Sequence, residues 1–271
     1  MTRFRKSALA FIAIASVVVA SGCSSGTKAT ITDPNEVITK SVTGAPTITS
    51  LHVKVELSGK LNLSSLGSVA SGLPLTGNFD LTGTNAEGDV DVSKQAADLN
   101  FTLPAPLGTG EVILADGNAY YKIGLLTGGK FTKAPLGSSL PISLPSPGAL
   151  SSADPSAAIA ELKKEMDSVG ATATLKATDQ VGGKEAYHVS VAIPVDKINS
   201  QLAASGTSAT AGMQLSSLTI DYWVYTENNL PAKITVAVDA GTLGTLGLTV
   251  TLTDYGKSVT VNAPAAADVA G

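Results

Sequence analysis

Leu51-His52-Val53-Lys54-Val55-Glu56-Leu57-Ser58 alternates without a break, apolar at 51, 53, 55 and 57 and polar at 52, 54, 56 and 58. A period of two belongs to an extended chain, whose successive side chains point to opposite faces. The stretch predicts a half-buried strand with Val53, Val55 and Leu57 on its inner side. Shorter strand patterns follow at Leu75 to Thr82, Gly88 to Val92, Ala97 to Leu103, Glu111 to Ala115 and Ala119 to Ile123. Asp116-Gly117-Asn118 between the last two reads as a hairpin turn. Strands joined this closely predict an antiparallel meander.

The pattern returns in the second half of the chain. Ala171 to Thr178 and the Tyr187, Val189, Val191, Ile193 series flank a Gly182-Gly183 turn. Leu218, Ile220, Tyr222 and Val224 lead through Glu227-Asn228-Asn229 into Ile234, Val236 and Val238. Leu246, Leu248, Val250 and Leu252 follow, then Ser258 to Val261. The expectation is roughly ten or eleven strands. Gly241, Gly244 and Gly247 lie between these patterns with no following helix, so they read as bends or bulges.

Helix signals are fewer. Asp33-Pro34-Asn35-Glu36 offers an N-cap, a first-position proline and an acid at the third position, with Val37, Ile38 and Val42 as a rough apolar face. Gly44-Ala45-Pro46 stops it. Asp154-Pro155 repeats the signal, and Ser156 to Val169 continues as a helix with Ala158, Ile159, Leu162 and Met166 on one stripe. Asp196 to Ala204 is a third short helix, burying Ile198 and Leu202. Gly128 to Ser152, rich in Gly, Pro and Ser, reads as a long irregular connection. Val269-Ala270-Gly271 ends a loose alanine-rich tail over 265–271.

The N-terminus is a different kind of segment. Arg3, Arg5 and Lys6 precede the apolar run Ala8 to Ala20, and Ala20-Ser21-Gly22 places small residues directly before Cys23. Residues 1–22 therefore read as a secretory signal peptide. The run of about 13 residues is short against the roughly 20 that a spanning helix needs. Small residues followed at once by cysteine match the bacterial lipobox, which implies lipid on the Cys23 thiol and cleavage before it. An ordinary cleavable signal with an incidental cysteine is the alternative. Cys23 is the only cysteine, so it has no internal disulfide partner. Residues 23–32 would be a flexible tether, and the expected address is extracytoplasmic, on the bacterial cell membrane.

Composition narrows the chemistry. The chain has 271 residues, 15% charged and 4% aromatic, and a net charge of −4 that includes the three cations of the signal. An acidic body with scattered Lys and Arg does not suit nucleic acid. His52 and His188 are the only histidines and both fall opposite the apolar stripe, which reads as surface-strand placement. No Gly-x-Ser-x-Gly elbow supports a hydrolase triad. Asp89, Asp91, Asp116 and Asp239 sit near turns, where turn chemistry explains them. No Walker loop or dinucleotide fingerprint occurs. Leu73-Pro74-Leu75-Thr76-Gly77 fits the sortase pentapeptide but lacks a terminal apolar tail, so it reads as a loop entering a strand. No enzyme activity, cofactor or metal is expected.

What remains is the aliphatic surface. A sheet of this size needs its apolar face covered, and three modest helices do not easily fill that space. The pattern leaves two possibilities open: a cavity suited to lipid chains, or a packed core.

In order and spacing, several pieces resemble the mycobacterial and actinobacterial LppX/LprA/LprF/LprG lipoprotein family. They are the lipobox, the short helix, Ser50-Leu51-His52-Val53, Leu73-Pro74-Leu75, Tyr120-Tyr121 with Leu126-Thr127-Gly128-Gly129, and Pro147-Gly148-Ala149-Leu150. Val181-Gly182-Gly183-Lys184-Glu185 and Asp221-Tyr222-Trp223-Val224 to Leu230-Pro231 complete the set. The resemblance implies one domain over 33–264, α+β in class. Its sheet would be a strongly curved antiparallel half-barrel like the LolA and LolB carriers, with helices on the concave side enclosing an apolar cavity. It also implies a membrane-anchored protein that carries lipids or acylated glycolipids within the envelope, with an exporter or acceptor protein as possible partner. A structural or signalling envelope lipoprotein with a packed core is the competing function. On the carrier reading the cavity lining would be Val53, Val55, Leu57, Phe79, Leu81, Phe101, Val112, Leu114, Tyr121, Val189 and Val191.

Overall fold

A computed structural model describes residues 31–43, 48–62, 77–105, 108–136, 164, 166–205 and 214–270. Cys23, the signal, the Leu73-Pro74-Leu75 stretch and most of the Asp154 helix lie outside the described residues.

The alternating stretch is the centre of the molecule. It forms β1 (Ser50–Asn62), the longest strand at 13 residues, and both halves of the chain pair with it. On one side come β3 (Thr84–Asp91), β4 (Ala96–Thr102), β5 (Thr109–Ala115), β6 (Asn118–Ile123) and β7 (Thr132–Pro135). On the other come β13 (Gly244–Thr253), β12 (Pro231–Asp239), β11 (Ser217–Tyr225), β10 (Lys184–Ala192) and β8 (Thr172–Leu175). The short β2 (Asn78–Asp80) extends the edge that β3 makes on β1, and β9 (Asp179–Val181) does the same for β8 on β10. Among the described residues, all 13 strands form one antiparallel sheet whose outer strands β7 and β8 do not pair with each other. The result is an open antiparallel sheet with few helices.

Local chemistry accounts for the elements. Asp33 caps α1 (Pro34–Thr43): its carboxylate accepts the Asn35 N–H at 2.9 Å, which satisfies one orphan donor of the first turn. The β5–β6 hairpin turns on Asp116 and Gly117, with φ of 52° and 71°, the doubly left-handed turn whose twist matches the flanking strands. α2 (Gly124–Thr127) is a single turn, and α3 (Val195–Ser205) is the expected third helix. Residues 166–169 are helical.

Among the described residues, α1, α3 and residues 166–169 pack on one wing of the sheet. Val37 of α1, Val169 and the partly buried Met166 and Ile198 pack with Val189, Val191, Ile220, Tyr222, Val224 and Ile234. The Tyr222 hydroxyl donates to Ser41 Oγ at 2.8 Å, and Ser41 donates to the Ile38 carbonyl at 2.8 Å. That buried relay fixes the angle of α1 on β11.

Five expectations need correction. β7 falls inside the stretch read as an irregular connection; its four residues are too few to show alternation. Leu75 to Thr82 contains only the short β2 among its described residues, and Ala171 to Thr178 only β8. Ser258 to Val261 has no ladder partner among the described residues and is not a strand. The tail over 265–271 is not loose at residues 265–270. Ala266–Asp268 forms a 3-10 turn, Val269 bridges Phe131, and the Ala270 N–H donates to the Phe131 carbonyl at 2.8 Å. Apolar contacts explain the docking, because Val261, Ala263 and Val269 cover Ile113, Ala115, Tyr120 and Phe131.

Candidate functional site

Register decides which side chains share a face. Val53 lies opposite Leu252 and Gly88, Val55 opposite Val250 and Ala86, and Leu57 opposite Leu248 and Thr84. The Val55 row continues through Ile234, Tyr222 and Val189 one way and through Phe101 the other. The Val53 row passes through Leu99, Val112 and Tyr121. Phe79 pairs with Leu61, and the Leu81 N–H donates to the Gly59 carbonyl at 2.9 Å. Every residue expected to line a cavity therefore stands on the apolar face or at its margin.

They do not form one continuous lining. Val189 and Val191, 0% and 7% exposed, are closed over by the helix wing. Val112 and Leu114 are buried in a second cluster with Ala97 and Ala119, edged by Val90, Leu99, Phe101 and Tyr121. Leu81 is buried as well. Between the two clusters, Val53, Val55 and Leu57 belong to neither and are half-buried, as are Phe79, Phe101 and Tyr121. Leu246, near the far end of the same pair of strands, is 36% exposed. Among the described residues, the middle of the apolar face is thus a strip of aliphatic side chains without a helix packed on it.

The opposite face carries a polar lattice. Cross-strand pairing sets Lys54, Glu87, Asn100, Glu111 and Lys122 in one row, and Glu56, Asn85, Thr102 and Thr109 in the next. Lys122 Nζ reaches Glu111 Oε2 at 2.8 Å. His52 stands between two carboxylates, Nδ1 2.8 Å from Asp89 and Nε2 3.2 Å from Glu87. A depression of about 860 Å³ opens over this lattice, reaching from His52 on β1 to Lys122 on β6 and Gly129 beyond it. Sequence alternation marks these positions as polar. What it lacks is the partnership, since His52 and Asp89 meet only through the β1–β3 register.

Desolvation pulls the His52 pKa down, but the hydrogen bonds and charges of Asp89 and Glu87 outweigh it and hold the pKa above 6.5. The folded state therefore favours the protonated ring. That contribution to stability is complete below pH 6.5 and fades as pH rises through the folded value. Urea melts at pH 6 and pH 8.5 should show a loss of stability at the higher pH that His52→Gln reduces. An NMR titration placing His52 at or below 6.5 would contradict this. Asp98 is also displaced: burial first, then the charges of Glu111 and Asp89, push its carboxyl up. Its Oδ1 is buried without a hydrogen-bond partner.

His188 completes the polar face on the other wing. Its ring stacks on Trp223 at 4.3 Å, its Nε2 lies 2.9 Å from Asp221, and Lys233 Nζ sits 3.9 Å from the Trp223 ring centre. Trp223 is 6% exposed, so this is a packed cation–aromatic stack and not an open site. Among the described residues, no group of three His, Cys, Asp or Glu side chains could hold a metal ion, and no helix is long and apolar enough to cross a membrane.

The architecture is that of a wide open antiparallel sheet with an apolar and a polar face. No family model matches the chain, and no curated protein sequence matches it. Among solved structures it is similar to the Mycobacterium tuberculosis lipoprotein LppX: 17% identity over 79% of this chain and 90% of that one, TM-score 0.40. It is similar to LprF from Mycobacterium bovis at 19% identity over 86% and 97%, TM-score 0.43. A putative outer membrane lipoprotein-sorting domain from Vibrio parahaemolyticus matches at 8% identity over 77% and 87%, TM-score 0.25. The fold assignment stands on the chain's own strand order and pairing.

Proposed function

We propose that this protein is a non-enzymatic, membrane-anchored carrier. In this reading it holds the acyl chains of a lipid or acylated glycolipid against its apolar face and moves them within the cell envelope. The observation that carries the proposal is the half-buried strip of Val53, Val55, Leu57 and Phe79 between two packed clusters. An acyl chain laid along such a strip gains about 0.8 kcal/mol for each methylene taken from water. The strip has no titratable side chain of its own, which suits hydrocarbon and offers nothing for bond-breaking chemistry.

Acylation at Cys23 would supply the anchor. Two or three chains hold a protein on a membrane where one holds it only marginally; Ile31, expected in the tether, is buried in the core, so residues 24–30 would keep the sheet within reach of the bilayer.

The test uses the chain from residue 24, made without its anchor in the native compartment. Solvent extraction followed by mass spectrometry should recover bound lipid, and a fluorescent hexadecanoyl probe should bind and be displaced by that lipid. The same spectrometer applied to the full-length product should find acyl groups on the Cys23 peptide. If no lipid is recovered and the probe does not bind, the chain is a structural or signalling lipoprotein with a packed core.

A further inference from the structure

We propose that the depression on the polar face binds a neutral oligosaccharide. The site lies on the opposite side of the sheet from the acyl strip and does not depend on the carrier reading.

Its lining states the chemistry. Asn85, Asn100, Thr102, Thr109, Glu111 and Lys122 all face the depression. Sugar hydroxyls both donate and accept, so they pair with amides, hydroxyls, carboxylates and an ammonium group alike. Asn100, Thr102 and Thr109 make no side-chain hydrogen bond with the described residues, and Asn100 and Thr109 are exposed. Their donors and acceptors are free for a ligand. Asn85 uses one donor on the Gly83 carbonyl at 3.0 Å and keeps its other groups.

Charge selects against other ligands. Lys122 is already paired with Glu111, Glu87 lies beside them, and Asp89 and Asp98 stand on the next row. Burial first, then Glu111 and Asp89, push the Asp98 carboxyl up. In the lining His52 and Lys122 offset Glu87 and Glu111, so phosphate, sulfate and nucleic acid meet no net positive charge to hold them. An acyl chain would leave the amides and hydroxyls unpaired. Five adjacent strands, from β1 to β6 by way of β3, β4 and β5, give a width of about 19 Å. With a volume of about 860 Å³, the depression is sized for several linked sugars in place of one.

The full-length chain in sugar-free zwitterionic micelles should transfer magnetic saturation to a neutral tetrasaccharide, with cellotetraose, maltotetraose and a mannotetraose as probes. A heparin-derived tetrasaccharide and inorganic phosphate serve as anionic comparisons. At least one neutral probe should bind better than both anions. Asn100→Ala/Thr102→Ala, two exposed or half-exposed changes, should weaken it roughly tenfold by removing two net hydrogen bonds. A thermal melt matching that of the unaltered protein confirms that the variant is folded. Absence of transfer to every neutral probe, equal transfer in the folded variant, or preference for an anion would overturn the proposal.

Discussion

Gly244→Ala should cost about 2–5 kcal/mol, from roughly 1–2 kcal/mol of left-handed backbone strain and about 1–3 kcal/mol of forced repacking. Gly244 opens β13 with φ of 106°, and an added Cβ would overlap the Lys60 carbonyl oxygen on β1. Gly59, φ 110°, stands in the mirror situation against the Thr245 carbonyl two rungs along the same strand pair. The obstacles are main-chain atoms locked in the longest ladder of the sheet, so no rotamer change relieves them. Gly256→Ala is the matched control, because φ is 74° but nothing lies within 4 Å. It should cost only the backbone term. In a chain of this size the difference between the two variants should appear as a gap in Tm of several degrees. Equal melting points for the two variants would show that β1 and β13 do not approach as closely here.

Val55→Asp should abolish acyl-probe binding while leaving the fold largely intact. Val55 lies between Val250 and Ala86 at the middle of the half-buried strip. In the free protein its side chain is partly solvated, so a carboxylate there is tolerable. Under a bound acyl chain that carboxylate must lose its water with no cation provided, a penalty of several kcal/mol, or at least about 100-fold in affinity. Acidification should restore part of the binding as the new carboxyl protonates. The neighbouring Glu56→Gln, one residue along and on the opposite face, should change nothing. Retention of binding within threefold in Val55→Asp, or an equal loss in Glu56→Gln, would move the acyl site away from β1.

These two variants rest on different kinds of legibility. The β1 alternation is periodic over eight residues and marks Val55 as inward without any knowledge of its neighbours. The Asp33 cap and the Asp116-Gly117 turn are equally local: each depends on hydrogen bonds or φ preferences spanning two to four residues. Gly244 is different. Spacing suggests a bend, but the need for glycine comes from the Lys60 carbonyl, far away in the chain. The docked tail was misjudged for the same reason. Val269 looks like part of a loose end, and Val261 like the end of a strand, until Ile113, Tyr120 and Phe131 are brought beneath them.

The residues expected to line a cavity show both sides of this limit. Alternation assigned them to one face, and the register keeps them there. Which of them stay open depends on what packs above. Val189 and Val191 lie under α1 because the Tyr222–Ser41 hydrogen bond and the Val37 contact hold the helix over that wing.

By itself the sequence determined most of the longer strands, their inward sides, the first helix's start and the tight hairpin, since short-range sterics and periodicity decide these. Only the tertiary structure decided the order β7 to β8 around β1, the split of the apolar face, and the polar lattice that joins His52 to Asp89 and Glu111 to Lys122. Those depend on cross-strand register and long-range packing, which no local pattern encodes.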